Sequence, residues 1–135
     1  MDIALLRSVG IGGDNDSFEI LLGKKPGMTH WILPGGFIDG REEPEKAARR
    51  ELFEETGCVV ESDLKLLGAF IVDDWRTRGE TKVSNMTLLY KGYTMSAEAK
   101  ASDDLEVVCW FNLSTVKNQI SALVHPIHHK LIEAI

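Results

Sequence analysis

The chain has 135 residues, 44% of them hydrophobic, which suffices for a single domain over 1–135 with its own core. A net charge of −6 and a pI of about 5.2 exclude a general nucleic-acid surface, which needs a basic excess, but not one anionic nucleotide neutralised by a metal and a few cations. No apolar run approaches the ~20 residues of a membrane span, and MDIALLRSVG lacks the parts of an export signal, so a cytoplasmic protein with no membrane partner is expected.

In chain order, IALLRSVGIG and SFEILLG flank the turn GGDND and predict a β-hairpin. KKPGMT reads as a polar loop, and HWIL as a short strand running into PGG. From Pro44, the residues EKAARRELFEET are strong helix formers. Pro44 suits a first helical position and Gly57 the residue just past the end. The stretch from Cys58 to Val72 predicts one bent strand or two, broken by ESD. DDWRTRGET is a charged loop, VSNMTLLYKGYTM is β-rich, SAEAKASDD is polar and LEVVCWF is a strand. Asn112 opens a short helix, and PIHHKLIEAI is a final helix with Pro126 at its start. Strands before, between and after helices predict an α/β fold with a mixed sheet. Cys58 and Cys109 stand alone in apolar stretches that read as strands, so both are expected as buried free thiols.

The chemistry concentrates in GGFIDGREEPEKAARRELFEETGCV, residues 35–59. Glu51, Glu54 and Glu55 stand at i, i+3 and i+4, one side of a helix, where like charges repel and the C-terminal half of the macrodipole disfavours anions. A divalent cation reverses that cost, and an all-oxygen set without nearby Cys or His suits Mg²⁺, with Mn²⁺ second. Arg50 can orient the carboxylates through charge-assisted hydrogen bonds, and Glu42 can favour the helix N-terminus or bond Arg50. Gly35 and Gly36 allow a tight loop whose backbone approaches a metal or phosphate. Taken alone, three glutamates would read as a solvated acidic face.

In register, Gly36, Glu42, Arg50-Glu51-Leu52, Glu54-Glu55, Gly57 and Cys58 resemble the Nudix hydrolase signature G-x5-E-x7-R-E-U-x-E-E-x-G-U. Cys58 replaces the final aliphatic residue and serves as a small hydrophobe. The resemblance implies an α/β/α sandwich and metal-dependent hydrolysis of a nucleoside diphosphate linked to another group. ADP-ribose, cleaved to AMP and ribose 5-phosphate, is the first choice. Nucleoside triphosphates, dinucleoside polyphosphates and a nucleotide sensor without cleavage stay open as alternatives.

The resemblance further implies Glu51 and Glu55 as main metal ligands, with Glu54 and the Gly35 carbonyl beside them. Arg50 and Glu54 are placed in the catalytic set. A loop carboxylate is implied as the base, Glu106 first and Asp103 second. FIVDDWRTRGETKV and SDDLEVVCWFNL partly resemble ADP-ribose-hydrolysing members. Arg76 and Arg78 would then grip phosphate or ribose, Trp75 or Trp31 would stack on adenine, and Gly36 would approach substrate. Loop arginines are commonly solvated, however, and Trp31 beside Ile32 and Leu33 is equally a core anchor. His125, His128 and His129 have zinc-like spacing but read first as surface or dipole-favoured residues. A homodimer stays open, as the sequence does not specify oligomeric state.

Overall fold

A computed structural model of the chain describes residues 1–73, 79, 84–95 and 98–135. Five strands, β1 (Asp2–Ser8), β2 (Phe18–Lys24), β3 (Lys65–Val72), β4 (Asn85–Tyr93) and β5 (Val107–Asn112), form one sheet in the order β3-β4-β1-β2-β5. β1 and β4 run parallel, with Asp2 opposite Leu89, and every other neighbouring pair is antiparallel, so the sheet is mixed. The expected hairpin is the β1–β2 pair, in register at Leu6 and Ile20.

Strand alternation divides the core into two layers. Ile3 and Leu5 of β1 and Leu21 of β2 pack with Ala48 and Leu52 of α1 (Pro44–Thr56). Ala4, Leu6, Ile20 and Leu22 face the other way. There they meet Leu113 and Val116 of α2 (Leu113–Asn118) and Leu131 and Ile132 of α4 (His129–Ala134), with Ile120 and Leu123 of α3 (Ile120–Leu123) packed at the margin. Helices therefore cover both faces of the mixed sheet, the α/β/α sandwich that the Nudix resemblance implies.

The caps of α1 follow the sequence. Pro44 opens it, where its missing N–H costs nothing, and Gly57 closes it at φ 71°, a left-handed position where a Cβ would be strained. The Asn112 side chain caps α2 by accepting from the Thr115 N–H at 3.0 Å.

Four expectations change. HWIL forms no strand: Ile32 exchanges backbone bonds of 2.8 Å with Gly23 and Trp31 bridges to Val124, so the segment is spent linking the sheet edge to the C-terminal helices. Pairing in the 58–72 stretch begins only at Lys65, because residues 58–64 instead carry α1 back to the sheet, held by Arg49 through the Val60 and Ser62 carbonyls. Pro126–His128 is a separate 3₁₀ turn ahead of α4. Cys58 is buried but outside any strand, while Cys109 is exposed on edge strand β5; both are free thiols. Among the described residues, no helix is long and apolar enough to cross a membrane.

Candidate active site

Arg50 is the electrostatic centre of α1. Its Nε and Nη2 donate to the Glu42 carboxylate at 2.8 and 2.9 Å, and Nη1 donates to Glu51 at 3.1 Å and to Glu54 at 3.2 Å. Asp39 lies 3.4 Å from Nη2. The hydrogen bond from Arg50 holds the Glu42 carboxyl below the usual carboxylate range, and Glu42 in turn raises the Arg50 pKa. The guanidinium fork thus fixes the carboxylates at the positions where the helix alone would let them swing apart.

Glu51, Glu54 and Asp103 offer carboxylate oxygens that all lie within 4.8 Å of one another, the one potential metal-holding group of this kind among the described residues. Burial pushes the Glu51 pKa up and Arg50 pulls it down, but Glu54 and Asp103 add to the rise, so the net shift is upward. The donor set is all oxygen and fits Mg²⁺ or Mn²⁺. The loop also leaves room for it: a Cβ on Gly36 would stand 2.6–2.8 Å from the Glu51 carboxylate group. Gly36 is otherwise held by Met1, donating to its carbonyl at 3.0 Å and accepting from its nitrogen at 2.8 Å.

Glu55 sits differently. It is 2% exposed, and its Oε1 accepts the Gly35 N–H at 3.0 Å. Burial, reinforced by Glu51 and Asp104, raises its pKa to about 8 against the Gly35 hydrogen bond and Lys25. It contributes no oxygen to the Glu51–Glu54–Asp103 group and instead lines the adjoining cleft. Gly35 is thereby seen as a donor to Glu55 through its N–H.

Asp103 reaches the group because residues 98–105 are laced to the end of α1. The Lys100 N–H donates to the Thr56 carbonyl at 2.9 Å, the Ser102 N–H to the Glu55 carbonyl at 3.0 Å, and the Leu105 N–H closes a turn on the Ser102 carbonyl at 3.1 Å. Asp103 occupies φ 54°, a conformation Asp tolerates better than most residues. Glu106, first choice from sequence, is exposed just before β5, its N–H donating to the Lys24 carbonyl at 2.8 Å. Edge pairing of this segment to β2 carries Glu106 past the turn, and the structure brings Asp103 rather than Glu106 to the glutamates.

Trp31 packs as a core anchor, edge-on to Phe111 at 4.8 Å with the Lys24 ammonium over its ring, and does not line the cleft. Trp75, Arg76 and Arg78 lie outside the described residues. The three C-terminal histidines do not converge on a metal. His125 Nδ1 accepts from the Ile127 N–H, His129 Nε2 donates to the Val124 carbonyl, and His128 is buried with both ring nitrogens engaged.

Beside the glutamates, a cleft opens at the end of the sheet where β1 and β4 start. Ile32, Leu33, Val72, Met86 and Ile127 give it apolar walls, and Lys25, Glu55, Asp2, Thr87 and His128 its polar points. Asp2, Thr87 and His128 were not anticipated from the sequence. The Thr87 hydroxyl donates to Asp2 Oδ2 at 2.6 Å, and His128 Nε2 lies 3.2 Å from Asp2 Oδ1. Burial acts to raise the Asp2 pKa, but His128, the Thr87 hydrogen bond and the Met1 ammonium outweigh it and hold it low. The available signal was weak: Asp2 alternates with Ala4 and Leu6, and Thr87 with Leu89, on the face covered by the C-terminal helices.

These features set an acidic group able to hold a cation beside a cleft on an α/β/α sandwich. The NUDIX domain family matches residues 5–134, and the chain belongs to that family. An ADP-ribose pyrophosphatase of Methanocaldococcus jannaschii is 30% identical over 76% of this chain and 58% of its own length. An RNA pyrophosphohydrolase of Ectopseudomonas mendocina is 42% identical over 44% of this chain and 37% of its own length. The chain therefore spans less than two thirds of either relative. The solved NUDIX domain of Shewanella oneidensis NrtR, complexed with ADP ribose, superposes with a TM-score of 0.73 at 24% identity, over 98% of this chain and 82% of that one, a likeness of fold.

Proposed function

We propose that this domain is a Mg²⁺-dependent pyrophosphohydrolase acting on a nucleoside diphosphate linked to another group, with ADP-ribose as the first substrate. The observation that carries the reading is the convergence of Glu51, Glu54 and Asp103 within 4.8 Å of one another beside a cleft with apolar walls and polar points. The name of the Methanocaldococcus jannaschii relative supports the choice of ADP-ribose.

Glu51 and Glu54 would hold the cation together with Asp103, with Glu55 and the Gly35 loop on the cleft side. When bound, Mg²⁺ or Mn²⁺ neutralises diphosphate charge, polarises phosphorus and acidifies a water. Arg50 holds the carboxylates in place before substrate arrives, so little reorganisation is left for the reaction itself. Asp103, on a turn outside the helix, would take a proton from water. Arg76, Arg78 and Trp75 are retained as proposed substrate contacts on their chemistry alone.

The test is product analysis with Mg²⁺ on ADP-ribose, nucleoside triphosphates, dinucleoside polyphosphates and 5′-triphosphorylated RNA. AMP and ribose 5-phosphate from ADP-ribose, abolished by a chelator, is the expected result. Faster cleavage of a triphosphate would move the substrate. No cleavage of any member, with binding retained, would favour a nucleotide sensor.

A further inference from the structure

The buried Asp2 carboxylate is part of the cleft wall but no part of the metal-holding group. Its environment determines what it can recognise. The Leu33 N–H donates to His128 Nδ1 at 3.0 Å, so in the neutral ring the proton lies on Nε2, which faces Asp2 Oδ1 at 3.2 Å as a donor. Oδ2 accepts from Thr87 at 2.6 Å. Each carboxylate oxygen therefore takes one internal donor and keeps acceptor capacity, since an ionised carboxylate offers about four lone-pair sites. With Asp2 at 15% side-chain exposure and His128 at 7%, rotation that would close off this face costs both internal bonds.

We infer that Asp2, held by Thr87 and His128, binds an adjacent pair of hydrogen-bond donors on the substrate, either the cis-diol of a ribose or the N1–H and 2-amino edge of a guanine. This rests on the reading of the cleft as a nucleotide site and adds a specificity-determining residue to it. Both sources present two donors side by side to two coplanar oxygens, the geometry in which a carboxylate accepts in bidentate fashion. A ligand group presenting only acceptors would face an anion at this point of the cleft. Leu33, Val72, Met86 and Ile127 supply apolar surface for the rest of the nucleoside.

The experiment is calorimetric binding of nucleoside monophosphates, which need no turnover, to the wild-type domain and to Asp2→Asn. AMP against 2′-deoxyAMP removes one hydroxyl of the diol, and GMP against IMP removes the 2-amino donor. The expected result is that at least one pair separates by about ten-fold or more in Kd, the loss typical of a charge-assisted hydrogen bond, and that Asp2→Asn collapses the separation. Which pair separates identifies the source. The inference is overturned if neither pair separates, if no monophosphate binds at millimolar concentration, or if a folded Asp2→Asn keeps the preference. The wild-type comparison decides alone if the variant does not fold. Hydrolysis assays on the same protein report separately on the proposed reaction: donor-pair binding without hydrolysis would sink the reaction and leave the Asp2 assignment standing.

Discussion

The Gly35 N–H donates to Glu55 Oε1 at 3.0 Å, tying the loop before α1 to a carboxyl that is 2% exposed near the helix end. One hydrogen bond does not offset burial, and the folded-state pKa of Glu55 rises from 4.5 to about 8. Between these values the folded state holds a proton that the unfolded chain has released, so stability contributed by the group is fully present below the unfolded pKa and declines as pH rises. In a chelator, the melting temperature should fall from pH 5 to pH 8, and Glu55→Gln should flatten the slope. Asp2 acts with the opposite sign. Its folded pKa is depressed below 3.8, so its contribution is present above that value and is lost as pH falls through the folded pKa. Thermal melts across pH with and without Mg²⁺ check both signs, and a rise in chelated stability toward pH 8 would contradict the Glu55 assignment.

The adjacent glycines should respond differently to alanine. At Gly36 the new Cβ meets the far end of the Glu51 side chain, which can swing away, so stability should change little while Mg²⁺ affinity and kcat fall. At Gly35 it meets the Met1 carbonyl and the Asp2 backbone, which cannot move without disturbing β1. Gly35→Ala should lower the melting temperature clearly, and Gly36→Ala should not. Equal stability loss in both would count against the placement of Glu51.

Glu51→Gln and Glu54→Gln should each lower kcat by orders of magnitude with the fold intact. Each removes a charge from a repelling group, so melting in a chelator should show no large loss and a slight gain is consistent. Unaltered turnover by either variant at ordinary Mg²⁺ would remove that residue from the site.

Arg50→Lys should not behave as a conservative change. A single ammonium cannot span Glu42, Glu51 and Glu54 as the planar fork does. The expected outcome is a loss of about ten- to a hundred-fold in kcat/KM, the usual scale for charge-assisted hydrogen bonds, with a higher Mg²⁺ requirement. Restoration of activity by Lys at wild-type Mg²⁺ would show that charge alone suffices.

Asp103→Asn and Glu106→Gln separate the two candidate bases. Asp103→Asn should depress kcat and shift the acidic limb of the pH profile, while Glu106→Gln should leave kcat near wild type. The reverse pattern would return the role to Glu106.

Helix α1 was legible because its signals are local. Pro44, the glycine at 57 and the run of helix formers act within one element, and carboxylate spacing follows from 3.6 residues per turn. The sequence leaves Glu42 between the helix N-terminus and Arg50, and the structure pairs it with Arg50 at 2.8 Å. Legibility ends where position depends on non-local pairing. The turn at 102–105 that favours Asp103 over Glu106 is set by backbone bonds to Thr56 and Glu55 carbonyls. Asp2 and Thr87 meet because β1 and β4 lie parallel in one register, which the hydrophobic pattern of neither strand specifies. Trp31 and the three histidines carried a correct chemical repertoire, but packing gave their side chains other partners.

The pairing of Asp2 with His128 also orders events during synthesis. When the ribosome has delivered β1, β2 and α1, Arg50 and its glutamates are already on the nascent chain, yet Asp2 has neither β4 nor the 3₁₀ turn against which to settle. Closing a loop across almost the whole sequence is entropically costly and comes after local structure. The pairing of Arg50 with Glu42, Glu51 and Glu54 can therefore form on a half-made protein, whereas the cation group waits for Asp103 and the setting of Asp2 waits for β4 and the 3₁₀ turn.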